Sequence, residues 1–423
     1  MRKMKDLPYH IGLKVKLYPS NEQKRLIAVN DGAKRAVYNH LVACGNERYR
    51  LSKIAGLVPA YRDRLEYLDS VTGELKNIKN ALPFLYGKDV DEQAVANAIR
   101  NYSAAWKNMK DRHTGVPVFK KKSYEQSYQT NAHYYKKATA DGRDTNVRFE
   151  DRCHVTLPKL GRIRIGASPA MVDAVLSRQQ NRELRIGAVM ISRDSVGEYW
   201  ASFQLGSEKP FRNELPKTGA MHGIDLNLLD LVVDSDGNTL ENPKYLSASK
   251  DRLAKEQKKL SRMSCRAKEE GHSLSKSRNY QKQREKVAYL HRKVSRQRED
   301  YLHAFTKREV ENQDFIAAED LKVRNLKRNH KLARAISDAG WRTLLTMLQY
   351  KADLYGKTVV LVPPKNTTQK CSHCGYVMSG DEKLSLDMRE WECPACHTHH
   401  LRDVNAAQNI LELGLKITLQ SCL

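Results

Sequence analysis

The sequence predicts a multidomain α+β protein, and three observations carry that prediction. Residues 9–19 and several short segments between 123 and 215 alternate apolar and polar side chains, as half-buried strands do, around a helical block. From residue 221 onward short apolar strands are separated by long helical stretches. Near the C-terminal end, Cys371-Ser-His-Cys374 and Cys393-Pro-Ala-Cys396 form two Cys-x-x-Cys knuckles separated by eighteen residues.

The 423 residues suffice for two to four domains. The formal net charge is +25, far beyond what solubility needs, and implies a polyanionic partner. No apolar run approaches the length of a membrane-spanning helix, and Met1-Arg-Lys-Met-Lys lacks the apolar core of a signal peptide. The expectation is a cytoplasmic protein, at the nucleoid when on DNA, with no membrane partner.

Residues 9–19 read as a strand with one buried face, stopped by Pro19. Ser20 caps a helix, with Gln23 at the capping-box position. Residues 46–90 look irregular and helical by turns. Residues 91–111 are a helix with Asp91 and Glu92 at its positive end and Val95, Ala98, Ile99, Tyr102 and Trp106 on one face. Its basic residues fit a solvated face or nucleic-acid contact equally. Strands then run to about residue 215, and a small β-barrel that starts with residues 9–19 would make the helical block an insertion. Tyr124, Tyr128, Tyr134 and Tyr135 lie among Lys120, Lys121, Lys122, Lys136 and Lys137. They either stack bases or pack on neighbouring strands.

The stretch Met221-His-Gly-Ile-Asp225-Leu-Asn-Leu reads as a strand with Ile224 and Leu226 on one face and Asp225 and Asn227 on the other. A second strand, Leu229–Val233, leads into the turn Asp234–Asn238. A basic helical region broken near Gly271 follows, its charge almost single-signed from Lys276 to Arg298, which favours phosphate contact. Asp314–Leu321 is a buried strand ending in acid, then comes a basic loop over 322–331. A helix from about Ser337 to Tyr355 stops at Gly356, and 357–363 is one more strand. After the knuckles, Val404 to Leu413 is helical.

The knuckles fit one tetrahedral four-thiolate zinc site through Cys371, Cys374, Cys393 and Cys396. Two disulfides would need an oxidising compartment. His373, His397, His399 and His400 are spare donors, but four thiolates already close a structural site. Cys44, Cys153, Cys265 and Cys422 are scattered and fit reduced thiols. Chemistry is expected from carboxylates. Asp225 and Glu319 lie on strands and Asp403 at a helix start. Hard oxygen ligands converging from separate segments can hold the divalent ions that phosphodiester cleavage needs. Acids at strand ends are also common caps and surface residues, so the pattern alone leaves both readings open.

Several short motifs stand out along the chain. They are Leu13-Lys-Val-Lys-Leu-Tyr-Pro19, Gly115-Val-Pro-Val-Phe-Lys120, Gly223-Ile-Asp225-Leu, Glu319-Asp-Leu321 and Tyr350-Lys-Ala-Asp-Leu-Tyr-Gly356. To these add Thr368-Gln-Lys-Cys371-Ser-His-Cys374-Gly and Arg402-Asp-Val-Asn-Ala-Ala407. In this order, across nearly the whole chain, they resemble the motifs of the TnpB-type, transposon-encoded RNA-guided nucleases, relatives of type V CRISPR effectors. The resemblance implies a RuvC-like RNase H core with an inserted zinc ribbon, plus a wedge β-barrel interrupted by a helical recognition domain. The implied layout is wedge barrel over 1–19 and 123–215, helical domain over 20–122, nuclease core over 216–368 and 400–423, and zinc ribbon, target-nucleic-acid-binding, over 369–399. It further implies a guide RNA, a double-stranded DNA target beside a short adjacent motif, and one site for both strands. That site would hold two Mg²⁺ on Asp225, Glu319 and Asp403, with one structural Zn²⁺ in the ribbon. Asn227 stands where glycine is usual, Thr367-Thr368 replaces Thr-Ser, and Leu401 replaces an aspartate; no carboxylate is lost. The neighbouring alternatives are a miniature type V CRISPR effector, a non-cutting RNA-guided DNA-binding regulator and a protein-only transposase.

Overall fold

The computed structural model describes residues 2–52, 60–73, 75–135, 144–385 and 387–421. They fall into two compact units, Met1–Phe211 and Arg212–Leu423.

In the first unit, β1 (Tyr9–Tyr18) buries Leu13, Val15 and Leu17 on alternate positions. Ser20 and Gln23 cap the next helix reciprocally: Gln23 N donates to Ser20 Oγ (3.2 Å) and Ser20 N to Gln23 Oε1 (2.9 Å). That helix, α1 (Asn21–Ser52), is followed by α2 (Ala60–Gly73), α3 (Leu75–Ala81) and α4 (Glu92–Arg112). The block read as irregular and helical by turns over 46–90 is mostly helical in its described parts, with turns over 87–90. Packing explains this: Val37, Leu41 and Val42 of α1 share one apolar cluster with Leu68, Ile78, Val95 and Ala98. Asp91 caps α4, accepting from Gln93 N at 2.9 Å.

The sheet of this unit has β2 (Gln126–Asn131), β3 (Arg148–Asp151), β4 (His154–Leu157), β5 (Gly161–Gly166), β6 (Leu184–Arg193) and β7 (Tyr199–Ser207). Its order is β2-β6-β7-β1-β5-β4-β3, antiparallel throughout, so β1 lies in the middle. The helical block is therefore an insertion between two strands of one sheet. The edges meet just beyond β2, where Tyr134 and Thr145 form an antiparallel bridge. Tyr128 is wholly buried in this core, and Tyr134 Oη accepts from Ile186 N at 2.8 Å, so both serve packing. Tyr135 remains 39% exposed, and Lys136 and Lys137 lie outside the described residues. The run of strands expected to residue 215 contains a helix, α5 (Pro169–Gln180). Pro169 sets φ for its first turn, and Val172 and Val175 bury one face.

In the second unit, β8 (Met221–Asp225), β9 (Asp230–Asp234) and β10 (Thr239–Glu241) form an antiparallel meander. Then come α6 (Tyr245–Ala248), α7 (Lys250–Glu269) and α8 (Arg278–Asn312), β11 (Phe315–Glu319), and α9 (Val323–Leu326), one turn of helix within the basic loop. The expected single helix at 337–355 is two, α10 (Ala333–Ala339) and α11 (Trp341–Tyr355). Gly340 breaks it with φ of 70°, and a Cβ there would sit 2.9 Å from Arg298 Cδ. After β12 (Thr358–Val362) come β13 (Glu390–Glu392), β14 (His399–Leu401) and α12 (Arg402–Ser421).

The main sheet order is β10-β9-β8-β11-β12, with β8, β11 and β12 parallel. Both faces are covered. Ile316 and Ala318 join a cluster with Leu302, Phe305, Leu344 and Leu348, whereas Phe315 and Ala317 join Ile410 of α12. The strand read through Asn227 is shorter: β8 ends at Asp225, and from His222 on it is buried on both faces. Gly223 shows why. A Cβ on it would lie 1.9 Å from Ala407 O and 2.8 Å from Leu411 N, so the α12 backbone rests on the strand itself. Gly414 repeats the device, 2.6 Å from Ala317 Cβ, which is why α12 continues past the expected end at Leu413. Gly223→Ala is expected to cost about 3 kcal/mol or more, because neither backbone can yield. Calorimetry should show a melting temperature lower by roughly 6 °C or more; an unchanged value would refute the close approach.

Candidate active site and metal centre

Asp225 and Glu319 end two neighbouring parallel strands, one step past the register pair Ile224–Ala318. Each is only 7% exposed. Asp403 sits in the first turn of α12, at its positive end. The three are near enough to interact. Burial, then the charges of Glu319 and Asp403, push the Asp225 carboxyl up to about 7, with Arg402 acting against them. Burial also raises Glu319, opposed by a hydrogen bond from Thr367 Oγ1 to its Oε1 at 2.6 Å. Asp403 Oδ2 accepts from Arg389 Nη1 (3.1 Å) and Asn227 Nδ2 (3.4 Å). Asn227 Oδ1 accepts from Leu229 N and Asp230 N (3.0 and 2.8 Å), so the residue that replaces the usual glycine shapes the turn after β8.

The four thiols of Cys371, Cys374, Cys393 and Cys396 lie within 4.8 Å of one another. Among the described residues they are the only group of three or more ligating side chains drawn that close. Each knuckle closes with a backbone bond, Gly375 N to Cys371 O (3.0 Å) and His397 N to Cys393 O (2.9 Å). Each also ends on a left-handed residue, Gly375 at φ 80° and His397 at φ 55°. Both the spacing and the four sulfur donors fit tetrahedral zinc. Of the spare histidines, His400 comes closest, its Nε2 3.1 Å from Cys371 Sγ, while His397 and His399 face Glu392 and Glu390. The scattered thiols stand apart: Cys44 is buried, Cys153 and Cys265 are exposed, and Cys422 lies outside the described residues.

The ribbon is bound to the helix that carries Asp403. Asn405 Oδ1 accepts from Ser372 N and its Nδ2 donates to Lys370 O, both at 2.8 Å. Asn409 Nδ2 donates to Thr367 O (2.9 Å) and Lys370 O (2.6 Å), and Arg402 N to Arg389 O (2.8 Å). Sequence reasoning gave none of Thr367, Arg389, Arg402, Asn405 and Asn409 a task. The sequence shows two asparagines four apart in a helical pattern, and only the coordinates show both buried, at 1% and 4% exposed. In α8, Lys282, Lys286, Lys293 and Arg296 are exposed, as a phosphate-binding face requires, although Lys286 also pairs with Glu256 at 2.7 Å.

Residues 202–330 match the family described as "Probable transposase", residues 341–410 "Cas12f1-like, TNB domain", and residues 9–53 "Helix-turn-helix domain". In the structure the described part of 9–53 is β1 followed by one unbroken helix, with no turn between two helices. A candidate RNA-guided DNA endonuclease of Streptomyces pristinaespiralis is 32% identical over 95% of this chain and 89% of its own. A candidate RNA-guided DNA endonuclease of Escherichia coli K12, InsQ, is 27% identical over 95% and 91%. The fold resembles that of Cas12f1, solved in complex with sgRNA and target DNA. There the TM-score is 0.51 and the identity 11%, over 95% of this chain and 98% of that one. Fold and relatives together define a nuclease class. The chain belongs to the TnpB family of RNA-guided DNA endonucleases.

Proposed function

We propose that Asp225, Glu319 and Asp403 form one metal-dependent site that cuts both strands of a DNA target selected by a guide RNA beside a short adjacent motif. The observation that carries this is the Asp225 carboxyl, raised to about 7 by its burial first and then by two further acids that reach it from other segments. Such a cluster repels itself unless cations occupy it, and its oxygen donors suit Mg²⁺. Two Mg²⁺ held by the three carboxylates would activate water and stabilise the leaving oxygen. Thr367 orients Glu319, and Asn227 with Arg389 orients Asp403. The Arg402 charge offsets part of the repulsion on Asp225.

The sheet order, with β10-β9-β8 antiparallel and β8-β11-β12 parallel, supports a RuvC-like RNase H core over 216–368 and 400–423. Residues 369–399 are the inserted ribbon, closed by one structural Zn²⁺ on Cys371, Cys374, Cys393 and Cys396. The first unit fits a wedge barrel over 1–19 and 123–215, with the helical recognition domain inserted over 20–122. No helix of the described residues is long and apolar enough to cross a membrane.

The test is a plasmid assay with protein purified alongside its RNA. Linear product is expected with Mg²⁺ and none with EDTA; equal cutting after the RNA is digested would sink the guided mechanism. RNA should also relieve the repulsion within a chain of net charge +25. The RNA-bound protein is expected to melt at a higher temperature than the nuclease-treated protein, and equal melting would count against it.

A further inference from the structure

The segment between α4 and β2 takes no part in the sites above. Residues 113–123 form neither helix nor strand, yet they are held in place. Pro117 is buried. Asn39 of α1 grips the Lys120 backbone twice, Nδ2 donating to Lys120 O (3.0 Å) and Oδ1 accepting from Lys120 N (2.7 Å). The Lys120 ammonium lies 4.0 Å from the centre of the Tyr38 ring. Around these anchors Val116, Val118 and Phe119 stand 59%, 68% and 54% exposed. Three large apolar side chains on an anchored backbone mark a surface that a partner covers. Beside them opens a cavity of about 460 Å³. Its lining includes Lys34, Arg35, Lys120, Lys121 and Arg193 against Asp31, Glu125 and Asp194, an excess of positive charge. Asp31 is already engaged by Lys34 (3.5 Å) and Arg35 (3.0 Å).

We infer that residues 116–121 form a seat for one unstacked nucleotide of the bound RNA, its base against Val118 and Phe119 and its phosphate in the lysine-lined cavity. Stacking on an aromatic ring accepts any base, and the cations hold the backbone. The occupant is RNA because the apolar exposure belongs to the protein at all times, so a resident partner must cover it, and target DNA only visits. Single-stranded RNA also presents splayed bases, whereas duplex DNA must first be unstacked. The inference rests on the RNA-guided reading.

The test places a benzophenone side chain at position 119 in the full chain bound to its RNA and irradiates the complex. A crosslink confined to one RNA nucleotide, formed without target DNA, is expected. A crosslink that needs target DNA, or none to either nucleic acid, overturns the inference. Val118→Ser combined with Phe119→Ser should weaken RNA binding about tenfold, while Phe119→Trp should keep it within about twofold of the parent. Both positions are exposed, so folding should survive. Lys121→Ala should lower the slope of log affinity against log salt by about one. Unchanged affinity of the double serine variant overturns the seat while leaving the guided mechanism standing; a parent protein that binds no RNA fails that mechanism itself.

Discussion

Asp225→Asn is expected to abolish cutting of both strands, by roughly a thousandfold or more, with RNA-guided binding of the target nearly intact. One site served by one set of acids cannot lose a central carboxylate and keep half its activity. Nicked plasmid from the variant would reveal a second site, and loss of binding would make Asp225 a structural residue. The same substitution has an opposite effect on stability. The carboxyl rises from its ordinary 3.8 to about 7 in the folded chain. Between those values the folded chain keeps a proton that the unfolded chain has released, so stability falls as pH rises, and the full cost stands above 7. That cost is about 4 kcal/mol. In EDTA at pH 8, Asp225→Asn should therefore melt above the parent, the gap closing as pH falls toward 4. A constant gap, or a less stable variant, would show that burial and the neighbouring acids do not raise the Asp225 carboxyl.

Cys393→Ser is expected to remove the zinc and, with it, about a hundredfold or more of the cleavage activity. Cys393 is wholly buried, and its loss leaves three sulfurs for a four-coordinate ion. The damage travels along the chain: β14 runs directly into Arg402 and Asp403, and Arg389 holds Asp403 with its side chain and the neighbouring Arg402 N with its carbonyl. Metal analysis beside the plasmid assay decides the matter. A zinc-free variant that cuts at the parental rate would separate ribbon from site.

How much of this is legible without coordinates depends on the range of the interaction. The knuckles are local: two sulfurs three residues apart on one turn declare a metal site wherever the turn lies. The Ser20–Gln23 cap, the α4 cap at Asp91 and the left-handed stop at Gly356 are local too, and each appears where its residues suggest. Asp225 and Glu319 are half legible: an acid at the end of an apolar strand can be a cap or surface residue, and only the coordinates show strands buried on both faces. The tasks of Thr367, Asn405 and Asn409 are not legible, since each depends on which remote atom comes within 3 Å of it. The break at Gly340 and the survival of α12 through Gly414 share that origin. Both glycines sit in helical patterns, and only the neighbouring elements decide that one interrupts and the other does not. In α5, the strand pattern of its surroundings masks a Ser-Pro start.

The seating of α12 on Gly223 also sets an order of events during synthesis. The ribosome makes the seven-stranded sheet, the helical block, the basic helices and two of the three acids before it reaches Arg402. A nascent chain can thus offer nearly all of its cationic surface to RNA while its phosphodiesterase centre is still missing a wall. With the proposed three-acid site, cutting competence would arrive in one step, when a single late helix packs over a strand laid down some 180 residues earlier. A chain that stops short of that helix would be born a nucleic-acid binder, incapable of breaking the DNA it holds.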